Sequence, residues 1–249
     1  MTRKFLLLFV FLLFVDVPTL KAQFEGQVVF RAFNPGQDEQ EGRFMHFFIT
    51  PKRILMQSEA PYRLMRGVRA HGLLIRHDLE DFVFKTDETE GIQISKNDID
   101  GLSQMLDRFQ GNARENAERF DWSLVEETGV TREISTYTVK QLKVHHPEDD
   151  SYISVWLTDE IKVNWGVLYD TWSNSTAMMV QSDLPIEVFM NQNSFPLLIE
   201  YYKNDNLNAV IEAVKVTNSG VDENLLEIPA DMRLLGFNEL IMRMMRDRP

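Results

Sequence analysis

Short apolar segments alternate with turn-forming residues along most of the chain. The segments are rich in Val, Ile, Phe, Tyr and Trp, and Pro, Gly, Asn and Asp separate them. Short, locally connected segments of this kind predict an antiparallel meander. The predicted strands are Phe24–Phe33, Arg43–Thr50, Arg53–Gln57, Gly72–His77, Asp81–Lys85, Gly91–Ser95, Ser123–Thr128, Glu133–His145, Tyr152–Leu157, Leu197–Lys203 and Leu207–Thr217.

Several predicted strands are apolar on both faces. In the second strand, Phe44 and Phe48 lie on one face while Phe47 lies on the other, and the segments around Leu73–Ile75 and Phe82–Phe84 are similar. A sheet with one face in water alternates apolar and polar residues instead. Either helices and loops cover both faces, or one face lines an apolar cavity.

Two segments have helical spacing. Apolar residues recur every three or four positions in Asn97–Phe120, whose start Ser95 or Asn97 can cap, and again in the C-terminal segment Asn238–Arg246. Asn164–Pro196 is predicted to be a long connection with little regular structure between two strands. It is either a lid over a cavity or a packed loop. No repeat or low-complexity linker interrupts residues 23–249, so we predict a single domain there.

The first 22 residues have the layout of a secretory signal peptide. Arg3 and Lys4 precede a short apolar run, and the small residue Ala22 follows at the expected cleavage point. The chain contains no cysteine, which favours a bacterial envelope protein over a disulfide-bonded eukaryotic one and leaves no lipid-acceptor residue. We therefore expect a periplasmic or secreted protein with no transmembrane segment after cleavage.

The charge balance bears on the partners. The first 22 residues hold three basic and one acidic side chain, which leaves 23 basic and 37 acidic residues and a net charge of −14 in the expected mature chain. Nucleic-acid binding depends on Lys and Arg that neutralise phosphates. We therefore expect no nucleic-acid partner.

Candidate catalytic and metal-binding groups are few. The cluster His145-His146, followed by three acids after Pro147, has metal-friendly side chains, but neighbouring strand residues point to opposite faces and rarely reach one ion. The chain has no nucleophile elbow, zinc-protease helix, P-loop or dinucleotide fingerprint. We expect neither a metal nor a cofactor, and nothing in the sequence favours an enzyme.

The second half of the chain has a familiar order of motifs. Glu133–Tyr137, Val155–Glu160 and Leu226–Ala230 follow one another as in a domain-of-unknown-function family of exported Gram-negative bacterial proteins, which the chain resembles. Thr136 and Asp231 stand where that family has glycine. The resemblance implies an α+β, mostly β fold, with a curved antiparallel sheet (half-barrel) packed on one or two helices, similar to periplasmic lipoprotein carriers, plus the C-terminal helix.

The first functional hypothesis is a non-enzymatic periplasmic protein that binds a lipid or a hydrophobic peptide in the concavity of the sheet. The alternative is a structural or interaction module of the envelope, with a protein partner on an edge strand or on the Met-rich C-terminal helix. A weaker alternative is a hydrolase that uses two carboxylates. The predicted ligand-binding residues are Phe44, Phe48, Phe82, Phe84 and Trp156, with Trp165 and Trp172 from the lid.

Overall fold

The computed structural model describes residues 23–36, 42–65, 68–101, 121–147, 149–174, 186–191 and 194–246. Within these ranges the chain is mostly β and forms one open, curved, 12-stranded sheet in the order β12-β6-β5-β4-β3-β2-β1-β11-β10-β9-β8-β7. The strands are β1 (Gly26–Phe33), β2 (Arg43–Ile49), β3 (Arg53–Met65), β4 (Val68–Arg76), β5 (Asp81–Lys85), β6 (Glu90–Ser95), β7 (Val125–Ile134), β8 (Tyr137–His145), β9 (Ser151–Thr158), β10 (Phe195–Lys203), β11 (Asn206–Thr217) and β12 (Arg233–Gly236).

The predicted antiparallel meander is confirmed, with local differences. Each predicted strand overlaps one of β1 to β11. The segment predicted as Glu133–His145 is divided by a tight turn, because Ser135 and Thr136 adopt positive φ angles of 49° and 74°. That turn carries neither Gly nor Asn, the usual signals for such a conformation.

Besides the helical start at residues 96–101, the described residues include helices α1 (Gly166–Asn174), α2 (Ile186–Asn191) and α3 (Phe237–Arg246), which flank the sheet. Helix α3 agrees with the predicted C-terminal helix. Helices α1 and α2 lie in the segment that we predicted to have little regular structure; each is too short to establish a helical period in the sequence. Helix α1 packs near β4, and α2 near β10.

One face of the sheet, which we call the inner face, forms the main core. Its residues follow from the register: Phe47 lies opposite Val28 and Met56, Met56 opposite Leu73, and Leu73 opposite Phe84. Directly paired residues share a face, so these side chains form an apolar row across five strands. The same core includes residues of all three helices, among them Val167, Val188 and Leu240.

A second, smaller core lies on the opposite, outer face. Leu55, Leu74 and Val83 pack there against Leu226, which belongs to the segment 218–232 between β11 and β12. This segment, which we call the crossover, leads to β12, and β12 pairs in parallel with β6. Over β3 to β5 the two apolar faces are therefore both covered by protein.

Arg53 attaches the crossover to the sheet. Its Nη1 donates to the carbonyl oxygen of Leu226 at 2.9 Å and lies 2.6 Å from Glu227 Oε1, while its Nη2 lies 2.9 Å from Asp78 Oδ2. One guanidinium thus joins the start of β3, the β4–β5 turn and the crossover.

The predicted helix over Asn97–Phe120 is described only at its start. Residues 96–101 are helical, and Ser95 caps them: its Oγ accepts from the Asp98 N–H at 3.2 Å, and Asp98 Oδ2 accepts from the Ser95 N–H at 2.9 Å. The rest of that helix and the expected signal peptide lie outside the described residues. Across the described parts of the chain, no helix combines the length and apolar character that a membrane crossing requires.

Candidate functional site

A cavity of about 380 Å³ lies beside helix α1. Its walls combine apolar and aromatic side chains with a few polar ones. The lining residues are Gln23, Lys162, Val163, Asn164, Trp165, Gly166, Tyr169, Asp170 and Met190.

The wall of this cavity is built by an extended segment that follows β9. Ile161, Val163 and Trp165 are buried, whereas Lys162 and Asn164 between them are only partly buried, which is the alternation of a strand. The Phe24 N–H donates to the Lys162 carbonyl at 2.8 Å and holds the segment beside the start of the described chain. The alternating burial of this segment therefore follows the sequence period, although residues of both sets line the cavity.

Helix α1 begins in a constrained turn. Gly166 has a φ of +24°, and a Cβ at this position would lie 2.9 Å from Asn164 Oδ1 and 3.0 Å from His77 Nδ1. The Asn164 side chain donates to the Pro51 carbonyl at 3.0 Å, and the Val167 N–H donates to His77 Nδ1 at 3.4 Å. Farther along the helix, Asp170 Oδ2 lies 3.5 Å from Lys96 Nζ. Side chains from two other parts of the chain, His77 and Lys96, thus contact α1.

The electrostatics of this contact are set by His77. Burial lowers the pKa of its imidazole, against the opposing effects of a backbone hydrogen bond to Asn164 and the nearby charge of Asp78. The neutral form, which can accept the hydrogen bond from Val167, is therefore favoured near neutral pH.

The predicted ligand-binding residues are divided between two faces of the sheet. Phe82 and Phe84 are inner-face residues opposite Ile94 and Ile92, and they are only 4% and 8% exposed. Phe44 and Phe48 are outer-face residues, since Phe44 lies opposite Arg31 and Phe48 packs on the second core. These four phenylalanines therefore do not surround one common space.

Trp156 also lies on the outer face and interacts with polar side chains there. Its Nε1 donates to Glu200 Oε2 at 2.9 Å, and the Arg132 guanidinium lies 3.8 Å from its ring centroid. Tyr152 and Tyr202 stack nearby, with ring centroids 4.7 Å apart. Trp156 is 5% exposed, and the protein's own side chains cover it.

Among the predicted residues, Trp165 lines the cavity. Trp172 lies in α1, and its side chain is outside the described part. The sequence prediction missed Tyr169 and Met190. A helical interpretation of residues 166–174 would have placed Tyr169 one turn after Trp165, on the same side of the chain.

The two adjacent histidines where β8 ends contact different acids. His145 Nε2 lies 3.1 Å from Glu126 Oε2, whereas His146 Nδ1 lies 3.4 Å from Asp149 Oδ1. Within the described residues, no group of three potential metal ligands comes together.

A second cleft, of about 310 Å³, lies where the crossover meets the β4–β5 turn. Asp78 and Glu227 face it, but both carboxylates are ion-paired with Arg53. Hydrogen bonds from Arg53 lower the pKa of Asp78. Carboxylates held in this way suit attachment of the crossover better than proton donation.

Comparison with known proteins informs the fold alone. No family model matches the chain, and no curated protein does. A solved structure of PNGF-II in space group P21 superposes with a TM-score of 0.50 at 15% identity and covers 90% of this chain but 33% of PNGF-II. A second PNGF-II structure, in space group C2, gives a TM-score of 0.48 at 15% identity, with 88% and 32% covered.

The chain therefore spans about a third of the PNGF-II chain that it resembles. At this identity the likeness supports a similar arrangement of strands and nothing about activity. The resemblance to an exported family of unknown function stays a prediction.

Proposed function

We propose that this protein is an exported, non-enzymatic binding protein for a lipid or another hydrophobic ligand, and that the cavity beside α1 is its binding site. The proposal keeps the ligand class expected from the sequence and moves the site away from Phe82 and Phe84. Those two side chains fill the core, so the inner face at β5 is occupied by the protein itself.

The cavity is the observation that carries this proposal. Its volume of about 380 Å³ lies within the usual range of small-molecule sites. Trp165 and Met190 border the cavity but are only 7% and 5% exposed, so the partly buried ring of Tyr169 offers the main aromatic surface. Such a wall suits an acyl chain or an apolar side chain of a peptide.

The polar residues of the cavity suit one end of an amphipathic ligand. Lys162 brings a cation and Asn164 an amide to the same lining as the aromatic rings, while the acid of that lining, Asp170, lies 3.5 Å from Lys96 Nζ. A fatty-acid carboxylate is the simplest group that an ammonium and an amide can bind together. We therefore regard a single-chain fatty acid as the first ligand to test.

The interaction-module hypothesis is supported by a different observation. The inner face at β4 to β6 is filled by the protein's own side chains, as a module without a ligand would require. The hydrolase hypothesis gains no such support, because Asp78 and Glu227 in the second cleft are both bound by Arg53.

The test is ligand recovery from the exported protein. The full chain is expressed in a Gram-negative host, purified after export, extracted with organic solvent and analysed by mass spectrometry, while an apolar fluorescent probe is titrated into the extracted protein. We expect a stoichiometric lipid and saturable probe binding.

Two variants locate the binding site. Tyr169→Ala should weaken probe binding, whereas Tyr169→Phe, which keeps the ring, should bind as the original protein does. A clean extract together with no saturable binding would overturn the proposal and favour the interaction module.

A further inference from the structure

His77 connects the sheet to the helix that forms one wall of the cavity. It lies in the β4–β5 turn, where its N–H donates to the Lys52 carbonyl at 2.9 Å and fixes the backbone. Its side chain reaches across to α1 and accepts the Val167 N–H through Nδ1 at 3.4 Å. The imidazole thus caps the first turn of α1 from outside the helix.

The cap fits α1 closely. The space above Gly166 is so small that a Cβ there would approach His77 Nδ1 to 3.0 Å. The next residues along this turn, Val167 and Tyr169, pack on the main core or line the cavity. A change at the imidazole is therefore transmitted directly to the cavity wall.

Only a neutral imidazole can make this contact. Nδ1 must carry a lone pair to accept from Val167, which leaves the proton on Nε2. Nε2 is buried and has no hydrogen-bond partner among the described residues. A second proton would turn Nδ1 into a donor facing the Val167 N–H, at the positive end of a helix.

The acidic groups nearest to His77 are already paired. Asp78, in the same turn, is bound by Arg53, and on α1 Asp170 lies 3.5 Å from Lys96 Nζ. Lys52 contacts the turn through its carbonyl oxygen. The Asn164 backbone carbonyl, whose hydrogen bond favours the charged form of His77, is the acceptor beside a protonated imidazole.

We propose that protonation of His77 releases the first turn of α1 and opens the cavity, so that ligand binding weakens as the pH falls. The release of α1 is inferred from the geometry of the contact between His77 and Val167. Its effect on a ligand rests on the function proposed above for the cavity.

The pH dependence follows from the lower pKa of His77 in the folded protein. The ordinary pKa of histidine is 6.5, and the pKa of His77 in the folded protein is lower. The neutral imidazole therefore stabilises the contact fully above pH 6.5 and progressively less as the pH falls below that value. The release should therefore develop on the acidic side of pH 6.5.

The primary test is hydrogen exchange in the ligand-free protein. Amide exchange of peptides covering 165–174 is measured by mass spectrometry between pH 7.5 and pH 5, after correction for the intrinsic pH dependence of exchange. We expect a several-fold loss of protection in α1 at the acidic end, while peptides from β4 and β5 keep theirs.

Two matched variants decide whether His77 is the group responsible. His77→Asn puts a neutral acceptor near the place of Nδ1 and should remove the pH dependence. His71→Asn changes an exposed histidine of β4 and should leave the pH dependence as it is. Equal pH dependence in His77→Asn and in the original protein would overturn the proposal, as would unchanged protection of α1 across the range.

Probe titration at both pH values separates this inference from the proposed function. Acid-induced release of α1 with no probe binding at any pH would confirm the cap and reject the ligand site. Probe binding that is equally strong at pH 7.5 and pH 5 would reject the switch and leave the ligand site in place.

Discussion

Trp165 and Phe195 stack with their ring planes 5° from parallel and their centroids 6.0 Å apart. Phe195 in turn contacts the rings of Phe30 and Phe47 on the inner face. The stack therefore joins the cavity wall, which Trp165 lines, to the centre of the main core. Stability and cavity shape are coupled at this one side chain.

Replacing Trp165 should test that coupling. Trp165 is 7% exposed, so we expect Trp165→Ala to lower the free energy of unfolding by about 3–5 kcal/mol. Urea denaturation followed by circular dichroism measures this. Trp122 is 43% exposed, and Trp122→Ala should cost less than about 1 kcal/mol. Equal costs for the two substitutions would contradict the burial of Trp165.

The buried ion pair of Arg76 and Asp81 gives a second prediction. Arg76 Nη2 lies 2.5 Å from Asp81 Oδ2, and Gln93 donates to the same oxygen at 2.7 Å. Asp81→Ala leaves the Arg76 cation buried without its partner and should cost about 3–5 kcal/mol. Thermal or urea unfolding measures the difference.

Two comparisons control for this effect. Asp159→Ala removes an exposed acid whose carboxylate lies 3.9 Å from Lys140 Nζ and should change the free energy of unfolding by less than about 1 kcal/mol. In the double variant Arg76→Met with Asp81→Leu, much of the lost stability should return, because no buried charge is left unpaired. A double variant as unstable as Asp81→Ala alone would contradict this explanation.

The Arg53–Asp78 pair gives a pH dependence with a definite sign. Arg53 holds the pKa of Asp78 below its ordinary value of 3.8. A carboxyl whose pKa is lower in the folded chain stabilises the fold above its unfolded pKa, and this contribution disappears as the pH falls through 3.8 towards the folded value. Asp78→Asn should therefore be less stable than the original protein at neutral pH and approach it in acid.

Unfolding free energies of both proteins, measured at a series of pH values, test this sign. Limited proteolysis should also cut the crossover faster in Asp78→Asn, because Arg53 then binds the crossover from a less constrained position. A difference between the two proteins that stays constant from neutral to acid pH would show that the ionised carboxylate is not the cause.

The sequence predicted the strands well because alternation within a strand is a local property. The sequence could not predict which residues of neighbouring strands lie on the same side of the sheet. The period of two separates Phe48 from Phe47, but only the register places Phe47 with Phe84 and Phe48 with Val83. The expected cluster of four phenylalanines was therefore split between two faces.

The elements that the sequence missed depend on long-range contacts. Strand β12 has four residues and pairs with β6 only because the crossover brings it there. Helix α1 has nine residues and starts at a glycine beside which Asn164 and His77 leave no room for a Cβ. Neither the strand nor the helix is long enough to show a periodic pattern. The sequence therefore indicated the segment 164–196 and Trp165, but not the helical placement of Tyr169 and Met190.

At the start of α1, Gly166 is constrained both by its backbone conformation and by close contacts. Comparison with two other glycines separates these two causes. Gly166 combines a φ of +24° with close contacts. Among the described residues, Gly36, with a φ of +89°, has nothing within 4 Å of an added Cβ, and neither has Gly220. Alanine at Gly36 should cost about 1–2 kcal/mol from its left-handed backbone alone, and alanine at Gly220 about 0.5 kcal/mol or less. Gly166→Ala should cost more than either, because its methyl group also displaces His77 and Asn164.

Urea denaturation of the three alanine variants gives this ranking, and hydrogen exchange shows where the loss occurs. In Gly166→Ala we expect peptides from α1 to lose protection from exchange at neutral pH. This is the same loss that protonation of His77 should cause at acidic pH in the original protein. A cost at Gly166 no larger than that at Gly36 would mean that the contact with His77 is loose. The imidazole could not then hold the helix, and the proposed acid release of α1 would lose its structural basis.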